Sequence, residues 1–329
     1  MRKRVRIIIW TILLVAVAVL VAVRWQAWFG MPEEPEWTGD TLVYTMPTLT
    51  DVEAQEALAH PEDSVLTLLV LGDIHNGLTQ ANYDTLAARV PEVDVVTQCG
   101  DWLERGQGYY YQALLHEWMP SALSGVPVVA CPGNHEYNKG ISKELSPVWD
   151  EAFPRPDNGP QEVPGAHFYV DLPGLRLIAI DTNPLVHLVH LTRTLTWLRE
   201  TMNGAKGRFV VVMMHHPVLP ACKGRFNPLV YASFRRALGD ADLVISGHDH
   251  SYMRRSSFVV VNAAGRPKEP GTGLQADVRD TVPVYGVLTV KRSNSVSGLT
   301  SNSPQDVLQF TVHRLDDGEV IDSLYVCHD

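Results

Sequence analysis

The chain repeats one pattern of apolar and polar positions six times. A run of mostly apolar residues ends abruptly in polar residues at 64–73, 93–101, 125–134, 174–183, 207–216 and 241–249. Continuous apolar runs of this length are typical of strands that are buried on both faces. We therefore predict six buried strands, each with a polar cluster at its carboxyl end.

Amphipathic segments that fit helices lie between these strands. They cover residues 79–89, 108–119, 191–202 and 229–238. Strands that alternate with helices predict an α/β layered fold. In such folds, ligands bind beyond the carboxyl ends of the strands, and every polar cluster of this chain falls there. The pattern therefore predicts one site at one edge of a sheet.

An apolar segment of a different kind lies near the start of the chain. Residues 7–23 carry no charge and follow a basic stretch, residues 1–6. With a rise of about 1.5 Å per residue, a helix over this segment spans roughly 25 Å, near the thickness of a bilayer core. The positive charge before the segment predicts a cytoplasmic N-terminus. We predict a transmembrane signal anchor over residues 7–28, with a cleaved signal peptide as the alternative.

These boundaries divide the chain into four parts. A cytoplasmic basic tail (1–6) and the anchor (7–28) precede a linker or outer wrapping (29–64), and one large domain (65–329) follows. The large domain is predicted to lie outside the cytoplasm, on the periplasmic or outer side of a bacterial inner membrane. The N-terminal helix makes the membrane a predicted partner, and no obligate protein partner is predicted.

Composition narrows the function of the large domain. The formal net charge of the chain is −10, and no acidic residue lies among the first 24, so the rest is more acidic still. Sequence-tolerant binding of nucleic acid relies on Lys and Arg that neutralise phosphates, so we expect no nucleic-acid partner. Four cysteines in 329 residues are not a disulfide framework. A single disulfide between Cys99 and Cys131 stays open beside two buried thiols.

The polar residues at the strand ends share one chemistry. They are carboxylates, imidazoles and one amide without a thiolate, a set that suits Mn, Fe, Zn or Co rather than a structural zinc site. The candidates are Asp73, His75, Asp101, Glu104, Asn134, His135, Glu136, His215, His216, His248, Asp249 and His250, with Arg105 beside them. Such a set is too large for one ion. Two ions that share a carboxylate are the predicted solution, and such pairs catalyse displacement at phosphorus.

The order of these motifs resembles that of the calcineurin-like metallophosphoesterases, which carry Asp-x-His, Gly-Asp, Gly-Asn-His-Asp/Glu, His and Gly-His-x-His. The resemblance covers about residues 66–255. It implies a four-layer αββα sandwich of two mixed β-sheets flanked by helices, here preceded by the predicted transmembrane helix. It also implies a centre of two divalent or trivalent transition metal ions. Antiparallel strands predicted in the C-terminal tail would complete the second sheet.

The same resemblance implies a division of ligands between the two ions. Asp73, His75, Asp101 and His250 would hold one metal, and Asp101, Asn134, His215 and His248 would hold the other. Asp101 would bridge the ions, and the pair would activate a bridging hydroxide for attack on phosphorus. The residue between His248 and His250 would then separate ligands of different ions.

Four further side chains have predicted roles. His135 is predicted to contact the phosphate and to protonate the leaving group, with an orienting hydrogen bond as the alternative. Arg105 is a candidate phosphate clamp, because "GDWLERG" resembles the Gly-Asp-x-x-Asp-Arg-Gly of serine/threonine protein phosphatases. Glu136 is a candidate hydrogen-bond acceptor for a metal-bound histidine, with a solvated acid in a loop as the alternative. His216 is expected to point into packing, with a substrate contact as the alternative.

One position separates this chain from the purple acid phosphatases. The motifs "GNHE" and "GHDHSYMRR" resemble theirs, but they place a tyrosine ligand three residues after the bridging aspartate, where this chain has Glu104. We therefore predict that the iron-loaded protein has no purple colour.

Together these features predict a membrane-anchored, metal-dependent hydrolase of phosphate mono- or diesters. A phosphoprotein or a lipid-linked phosphate is an alternative substrate. The alternative from another class is a metal-stabilised binding or sensor module of the same fold without turnover. The presence of every expected ligand favours the hydrolase.

Overall fold

Strands and helices alternate in the part of the chain that the structure describes. This computed structural model describes residues 10, 11, 13–15, 65–90, 92–104, 123, 125–137, 144–186, 188–219, 228–268, 276–292 and 306–328. The strands are β1 (Leu66–Leu71), β2 (Val95–Gln98), β3 (Val128–Ala130), β4 (Phe168–Leu172), β5 (Leu175–Ile180), β6 (Phe209–Met214), β7 (Leu243–Ser246), β8 (Tyr252–Arg255), β9 (Phe258–Val260), β10 (Val278–Asp280), β11 (Val284–Arg292), β12 (Asp306–Arg314) and β13 (Val320–Cys327). The helices are α1 (Gln80–Arg89), α2 (Pro147–Ala152), α3 (Leu188–Asn203) and α4 (Pro228–Ala237).

The predicted elements agree with this description wherever the chain is described. Each of the six apolar runs contains a strand: β1, β2, β3, β5, β6 or β7. Three predicted helices correspond to α1, α3 and α4. The fourth, at residues 108–119, lies outside the described residues.

The strands form two mixed sheets. The first has the order β13-β12-β11-β1-β2-β3, and the second has the order β10-β8-β9-β7-β6-β5-β4. In the first sheet, β1, β2 and β3 are parallel. In the second, β5, β6, β7 and β9 are parallel. The prediction of two mixed sheets with flanking helices is confirmed.

Apolar strands with two buried faces explain the layering. All six residues of β6 are buried, and because successive side chains point to opposite faces, they enter two different cores. Val211 and Met213 belong to the core between the sheets, whereas Val210 and Val212 pack in the outer core with α3 and α4. Burying one such side chain stabilises the fold by about 1.5–3 kcal/mol. A corresponding outer core joins the first sheet to α1 and α2.

The C-terminal tail is antiparallel, as predicted, but it completes the first sheet rather than the second. β11 pairs with β1 from Leu66 opposite Val290 to Val70 opposite Gly286, and β12 and β13 follow outward. The alternation of apolar residues predicts a strand but does not say which sheet it joins. That choice depends on the pairing of β11 with β1.

The membrane anchor predicted for residues 7–28 finds no support in the structure. No helix in the described part of the chain is long and apolar enough to cross a membrane. The single-pass membrane localisation predicted from the sequence is contradicted by this finding. Of residues 7–28, the structure describes residues 10, 11 and 13–15, and residues 1–6 and 29–64 lie outside the described residues. The other domain boundaries stay predictions.

Candidate metal centre

Five strands bring the predicted ligands to one edge of the two sheets. Asp73 and His75 follow β1, Asp101 follows β2, Asn134 follows β3, His215 follows β6, and His248 and His250 follow β7. Because the strands of each set run parallel, the loops after them leave from the same edge. The structure gathers all seven predicted ligands there.

The backbone turns sharply where these side chains leave the strands. Five of the predicted ligands have φ angles between 44° and 71°: Asp73, His75, Asp101, His248 and His250. Such a conformation costs a residue other than glycine about 1–2 kcal/mol. Backbone hydrogen bonds offset part of this cost, since the N–H groups of Ile74 and His75 both donate to the carbonyl of Asp101. Strained backbone of this kind is typical of functional sites.

The first ligand group consists of Asp73, His75, Asp101 and His250, whose ligand atoms lie within 4.8 Å of one another. His75 Nε2 lies 3.0 Å from His250 Nε2. Asp73 Oδ1 lies 3.4 Å from His250 Nε2 and 3.8 Å from His75 Nε2. Asp101 Oδ2 lies 3.7 Å from His75 Nε2. Two carboxylates and two imidazoles therefore converge on one point.

The second ligand group consists of Asp101, Asn134, His215 and His248. His215 Nε2 lies 3.2 Å from Asp101 Oδ2, 3.3 Å from Asn134 Oδ1 and 3.2 Å from His248 Nδ1. His215 is fully buried. Asp101 Oδ2 faces both groups, which is the position that a shared ligand requires.

The hydrogen bonds around the groups fit bound cations. His215 Nδ1–H donates to the carbonyl of Cys99, and His250 Nδ1–H donates to the carbonyl of Arg266. A carbonyl only accepts, so in the neutral rings the lone pair is on Nε2, the atom that faces the ligand group. Asp73 Oδ1 is buried and has no hydrogen bond to any described residue. Lone pairs and a buried carboxylate oxygen that converge in this way repel one another unless a cation lies between them.

Sulfur takes no part in these groups. Cys99 and Cys131 are free and buried, so the described chain has no disulfide between them. Burial raises the pKa of both thiols well above the usual value, which keeps them protonated. The oxygen and nitrogen donors that remain suit Mn, Fe, Zn or Co.

The electrostatics of the polypeptide alone favour an ionised carboxylate at Asp101. Burial would raise the pKa of Asp101, but the charge of His215 and a hydrogen bond with it hold this pKa well below the usual range. Burial would lower the pKa of His215, but Asp101 raises it to about 9. Burial and the charge of His215 lower the pKa of His248 to about 3. A bound cation would therefore displace a proton from His215.

His135 lies beside both groups without belonging to either. Its backbone N–H donates to Asp101 Oδ1 at 2.9 Å, and its Nδ1 donates to the carbonyl of Glu104 at 2.7 Å. The other ring nitrogen, Nε2, lies 4.0 Å from Asp101 Oδ2. The side chain is 22% exposed, so it borders the ligand groups and solvent together.

Comparison with known proteins agrees with this arrangement. The family model described as calcineurin-like phosphoesterase matches residues 66–252, more than half of the chain. The chain belongs to the calcineurin-like phosphoesterase family. Both ligand groups lie within the matched segment, and the first of them fits a dinuclear site of this family.

Solved structures of other proteins resemble this chain in fold. The purple acid phosphatase PPD1 from yellow lupin (Lupinus luteus) seeds is 15% identical, with a TM-score of 0.61 over 82% of this chain and 55% of that chain. The chain thus spans about half the length of that phosphatase. GAP50, the anchor in the inner membrane complex of Plasmodium, is 15% identical, with a TM-score of 0.51 over 80% of this chain and 89% of that chain. No curated protein sequence matches the chain.

Glu136 has a different partner from the one predicted. It is fully buried and accepts hydrogen bonds from three backbone N–H groups, those of Asp101, Leu103 and Gly133. Burial, followed by the charge of Asp101, raises the pKa of Glu136 to about 7. Glu136 thus joins the loops after β2 and β3 instead of accepting from a ligand imidazole.

Of the two remaining predicted side chains, the structure describes only His216. His216 Nδ1 lies 2.7 Å from Thr182 Oγ1, and its ring packs 4.4 Å from that of His248 between centroids. Its ligand atom also groups with those of His215 and His248. His216 therefore packs at the site, not away from it. Arg105 lies outside the described residues.

Sequence reasoning missed the segment after β5, Asp181 to Asn183. Asp181 is fully buried and accepts hydrogen bonds from the hydroxyl of Tyr137 and from the backbone N–H of Ala166. Asn183 Nδ2 lies within hydrogen-bonding distance of the carbonyls of Pro132 and Gly133, next to Asn134. The sequence did contain a signal for this segment, because the apolar run that forms β5 also ends in polar residues.

Sequence reasoning also missed the loop after β9, residues 262–268, which we call the β9 loop. Backbone N–H groups of Ala264 and Gly265 donate to the carbonyl of Asp73. A Cβ added at Gly265 would lie 3.0 Å from His250 Cγ and 3.1 Å from Asp73 Cβ. The β9 loop therefore packs directly on the first ligand group. Its contacts are mostly backbone atoms, which no motif reveals.

Proposed function

We propose that this chain hydrolyses phosphate mono- or diesters at a centre of two transition metal ions held by the two ligand groups. The observation that carries the proposal is the position of Asp101 Oδ2. This oxygen faces His75 Nε2 in the first group and His215 Nε2 in the second. One carboxylate oxygen between two sets of ligands is what a bridged pair of ions requires.

The ions and the protein would contribute differently. Cations held by these residues would lower the pKa of a bound water toward about 7 and would draw charge from the phosphate oxygens. The protein fixes the ligands before substrate binds: His215 and His250 are oriented by backbone carbonyls. Four hydrogen bonds hold Asp101: its N–H donates to Glu136, its Oδ1 accepts from the N–H of His135, and its carbonyl accepts from two N–H groups in the loop after β1.

His135 has the position of a general acid. Its Nδ1 is occupied by the carbonyl of Glu104, so Nε2 is the atom left for a substrate. A proton on Nε2 would pass to the oxygen of the leaving alcohol as the P–O bond breaks. His135→Ala is expected to lower kcat by about 10²–10⁴-fold. An aryl ester with a good leaving group should lose less than an alkyl ester, which a merely structural role would not produce.

Hydrolysis of p-nitrophenyl phosphate and bis(p-nitrophenyl) phosphate by the Mn-loaded protein tests the proposal. We expect turnover that depends on Mn and is abolished in Asp101→Asn, which keeps the shape of the side chain but removes its charge. Asp240→Asn is the matched control, because Asp240 is exposed just before β7, at the opposite end of that strand from His248.

Two other outcomes would count against the hydrolase. Turnover that survives Asp101→Asn would show that the bridging carboxylate is not needed. In the second outcome, the wild-type protein binds Mn and yet hydrolyses neither ester when it is loaded with Mn, Fe, Zn or Co in turn. That outcome would favour a binding or sensor module.

A further inference from the structure

Three loops meet at the buried carboxylate of Asp181, which follows β5. Its Oδ2 accepts hydrogen bonds from the hydroxyl of Tyr137, in the loop after β3 (residues 131–137, the β3 loop), and from the backbone N–H of Ala166, before β4. Its Oδ1 accepts from the backbone N–H and from Nδ2 of Asn183, both at 3.0 Å. A carboxylate has about four acceptor sites. These contacts therefore occupy it fully, and Asp181 holds neighbouring loops rather than a metal ion or a substrate.

Two partners of Asp181 hold opposite ends of the β3 loop. At its start, Asn183 Nδ2 lies 3.3 Å and 3.2 Å from the carbonyls of the two residues before Asn134. At its end, the hydroxyl of Tyr137 donates to Asp181. Asn134 of the second ligand group and His135 lie between these two points. Asp181 therefore restrains the segment that carries a proposed metal ligand and the proposed general acid.

The end of the β3 loop bears most directly on His135. Tyr137 lies two residues beyond His135 and is buried. Burial, followed by the charge of Asp181, raises the pKa of Tyr137 above its usual value, so the hydroxyl stays protonated and donates. The hydrogen bonds of His135 itself, to Asp101 Oδ1 and to the carbonyl of Glu104, reach the loop after β2. The hydroxyl of Tyr137 joins the same segment to the loop after β5, so His135 has a support on each side.

On the basis of the proposed hydrolysis, in which His135 protonates the leaving group, we propose that Asp181 is a positioning residue that holds His135 through the hydroxyl of Tyr137. A displacement of reacting groups by about 1 Å can lower a rate by about 10²-fold. A carboxylate that touches neither substrate nor metal can therefore matter for catalysis. Because Asn183 holds the Asn134 end of the loop separately, the contact with Tyr137 acts on protonation of the leaving group and not on metal binding.

The test removes the hydroxyl in Tyr137→Phe and compares two esters that differ in their need for a general acid. Phenyl phosphate has a poor leaving group, and p-nitrophenyl phosphate has a good one. In the Mn-loaded variant, we expect kcat to fall by about tenfold for phenyl phosphate and by about twofold for p-nitrophenyl phosphate. The Mn content, measured by elemental analysis after dialysis, should stay at the wild-type value. Equal losses for the two esters, or loss of Mn, would overturn the inference.

The matched control is Tyr252→Phe. This variant also removes a buried tyrosine hydroxyl that donates to a carboxylate, that of Asp322, but the bond joins β8 to β13 and does not reach the β3 loop. The ratio of kcat for the two esters should therefore equal that of the wild-type protein. The same change of ratio in Tyr252→Phe as in Tyr137→Phe would show a general effect on the fold and would overturn the inference.

A double variant shows whether Tyr137 acts through His135. If it does, adding Tyr137→Phe to His135→Ala should cause no further loss of kcat for phenyl phosphate, because the two changes remove the same contribution. A further loss of about tenfold would overturn the inference. Asp181→Asn has one oxygen where four donors need two, so it should combine the effect of Tyr137→Phe with a lower affinity for Mn. If Asp181→Asn does not fold, Tyr137→Phe decides.

A crystal structure of Tyr137→Phe separates failure of this inference from failure of the proposed function. His135 Nε2 lies 4.0 Å from Asp101 Oδ2 in the wild-type chain, and we expect this distance to change by about 0.5–1 Å in the variant. If the wild-type protein hydrolyses neither ester, the proposed function fails, and the structure still shows whether Tyr137 positions His135. An unchanged position of His135 would overturn the inference whether or not the wild-type protein is active.

Discussion

The two ligand groups share Asp101 but differ in charge, exposure and support. The first group adds a second carboxylate, Asp73, whereas the second group has the neutral amide of Asn134 in the corresponding place. The side chains of His75 and His250 are 10% and 12% exposed, whereas His215 is fully buried. A more negative set of oxygen and nitrogen ligands favours a cation of higher charge. We therefore expect that two ions bound by these groups would occupy unequal sites.

Different parts of the chain support the two groups. The β9 loop holds the first group, through the carbonyl of Asp73 and the imidazole of His250. The segment after β5 supports the second, because Asn183 contacts the carbonyls just before Asn134. Partners outside the metal ligands commonly change metal affinity by 10–100-fold. Each group can therefore be weakened separately.

Removal of one ligand from each group should have the largest effect. We expect Asp73→Asn and His215→Ala each to lower the metal content from two ions per chain to one, because the remaining group is intact. Loss of a hydrogen-bond partner of a metal ligand commonly lowers metal affinity by 10–100-fold. Loss of the ligand itself should therefore lower metal affinity and kcat/KM by more than about hundredfold. Elemental analysis after dialysis measures the metal content. Loss of both ions in both variants would show that the sites are not separable.

Metal removal should lower the free energy of unfolding. In free energy, this effect should be smaller than that of removing a metal ligand. Ions that bind only the folded protein add about 2.7 kcal/mol at a concentration 100 times Kd, so chelation should lower Tm by about 5–10 °C. Differential scanning fluorimetry with and without EDTA measures this. Asp101→Asn, in which both groups lose a ligand, should show almost no response to EDTA. The same shift in Asp101→Asn as in wild type would place the ions elsewhere.

A change at Asn183 should weaken the second group alone. We expect Asn183→Ala to lower the affinity for the ion of the second group by about tenfold, because the loop before Asn134 loses its contact with Asn183. The matched control is Asn158→Ala, since Asn158 also bonds backbone groups, those of Tyr169, but in the loop before β4. Calorimetric titration with Mn measures both. Equal effects in the two variants would mean that Asn183 acts on the fold and not on the site.

A substitution at Glu104 should have the smallest effect on metal affinity. Its Oε2 lies 3.3 Å from His75 Nδ1, but the carboxylate is 51% exposed. We expect Glu104→Gln to weaken the first group by about threefold at most. Because Glu104 occupies the place of the tyrosine ligand of purple acid phosphatases, we also expect no visible charge-transfer band from the iron-loaded protein. A band in its visible spectrum would contradict this expectation.

The sequence predicted the strands, and the meeting of the polar residues at one sheet edge, because both depend on local pattern. Parallel strands buried on both faces appear as continuous apolar runs, and the residues that end them meet at one sheet edge. Asp73, His75, Asp101 and His250 therefore lie where the pattern places them. The predicted roles of the seven ligands stay predictions until metal is bound.

Contacts made by backbone atoms could not be predicted in the same way. The carbonyl of Arg266 orients His250, and any residue type supplies a carbonyl. Glu136 was a candidate acceptor for an imidazole or a solvated acid in a loop, but three N–H groups from two loops surround it, and only the folded chain brings them together. The tail was assigned to the wrong sheet because alternation gives the strand and not its neighbour. The membrane anchor, read from apolarity alone, is contradicted for the described chain.

The central claim is that Asp101 lies between two metal ions. Anomalous diffraction from a crystal of the Mn-loaded protein tests it most directly. We expect two peaks about 3.5–4 Å apart, one among Asp73, His75 and His250 and the other among Asn134, His215 and His248, with Asp101 Oδ2 between them. A single peak, or two peaks that do not share Asp101, would contradict the claim.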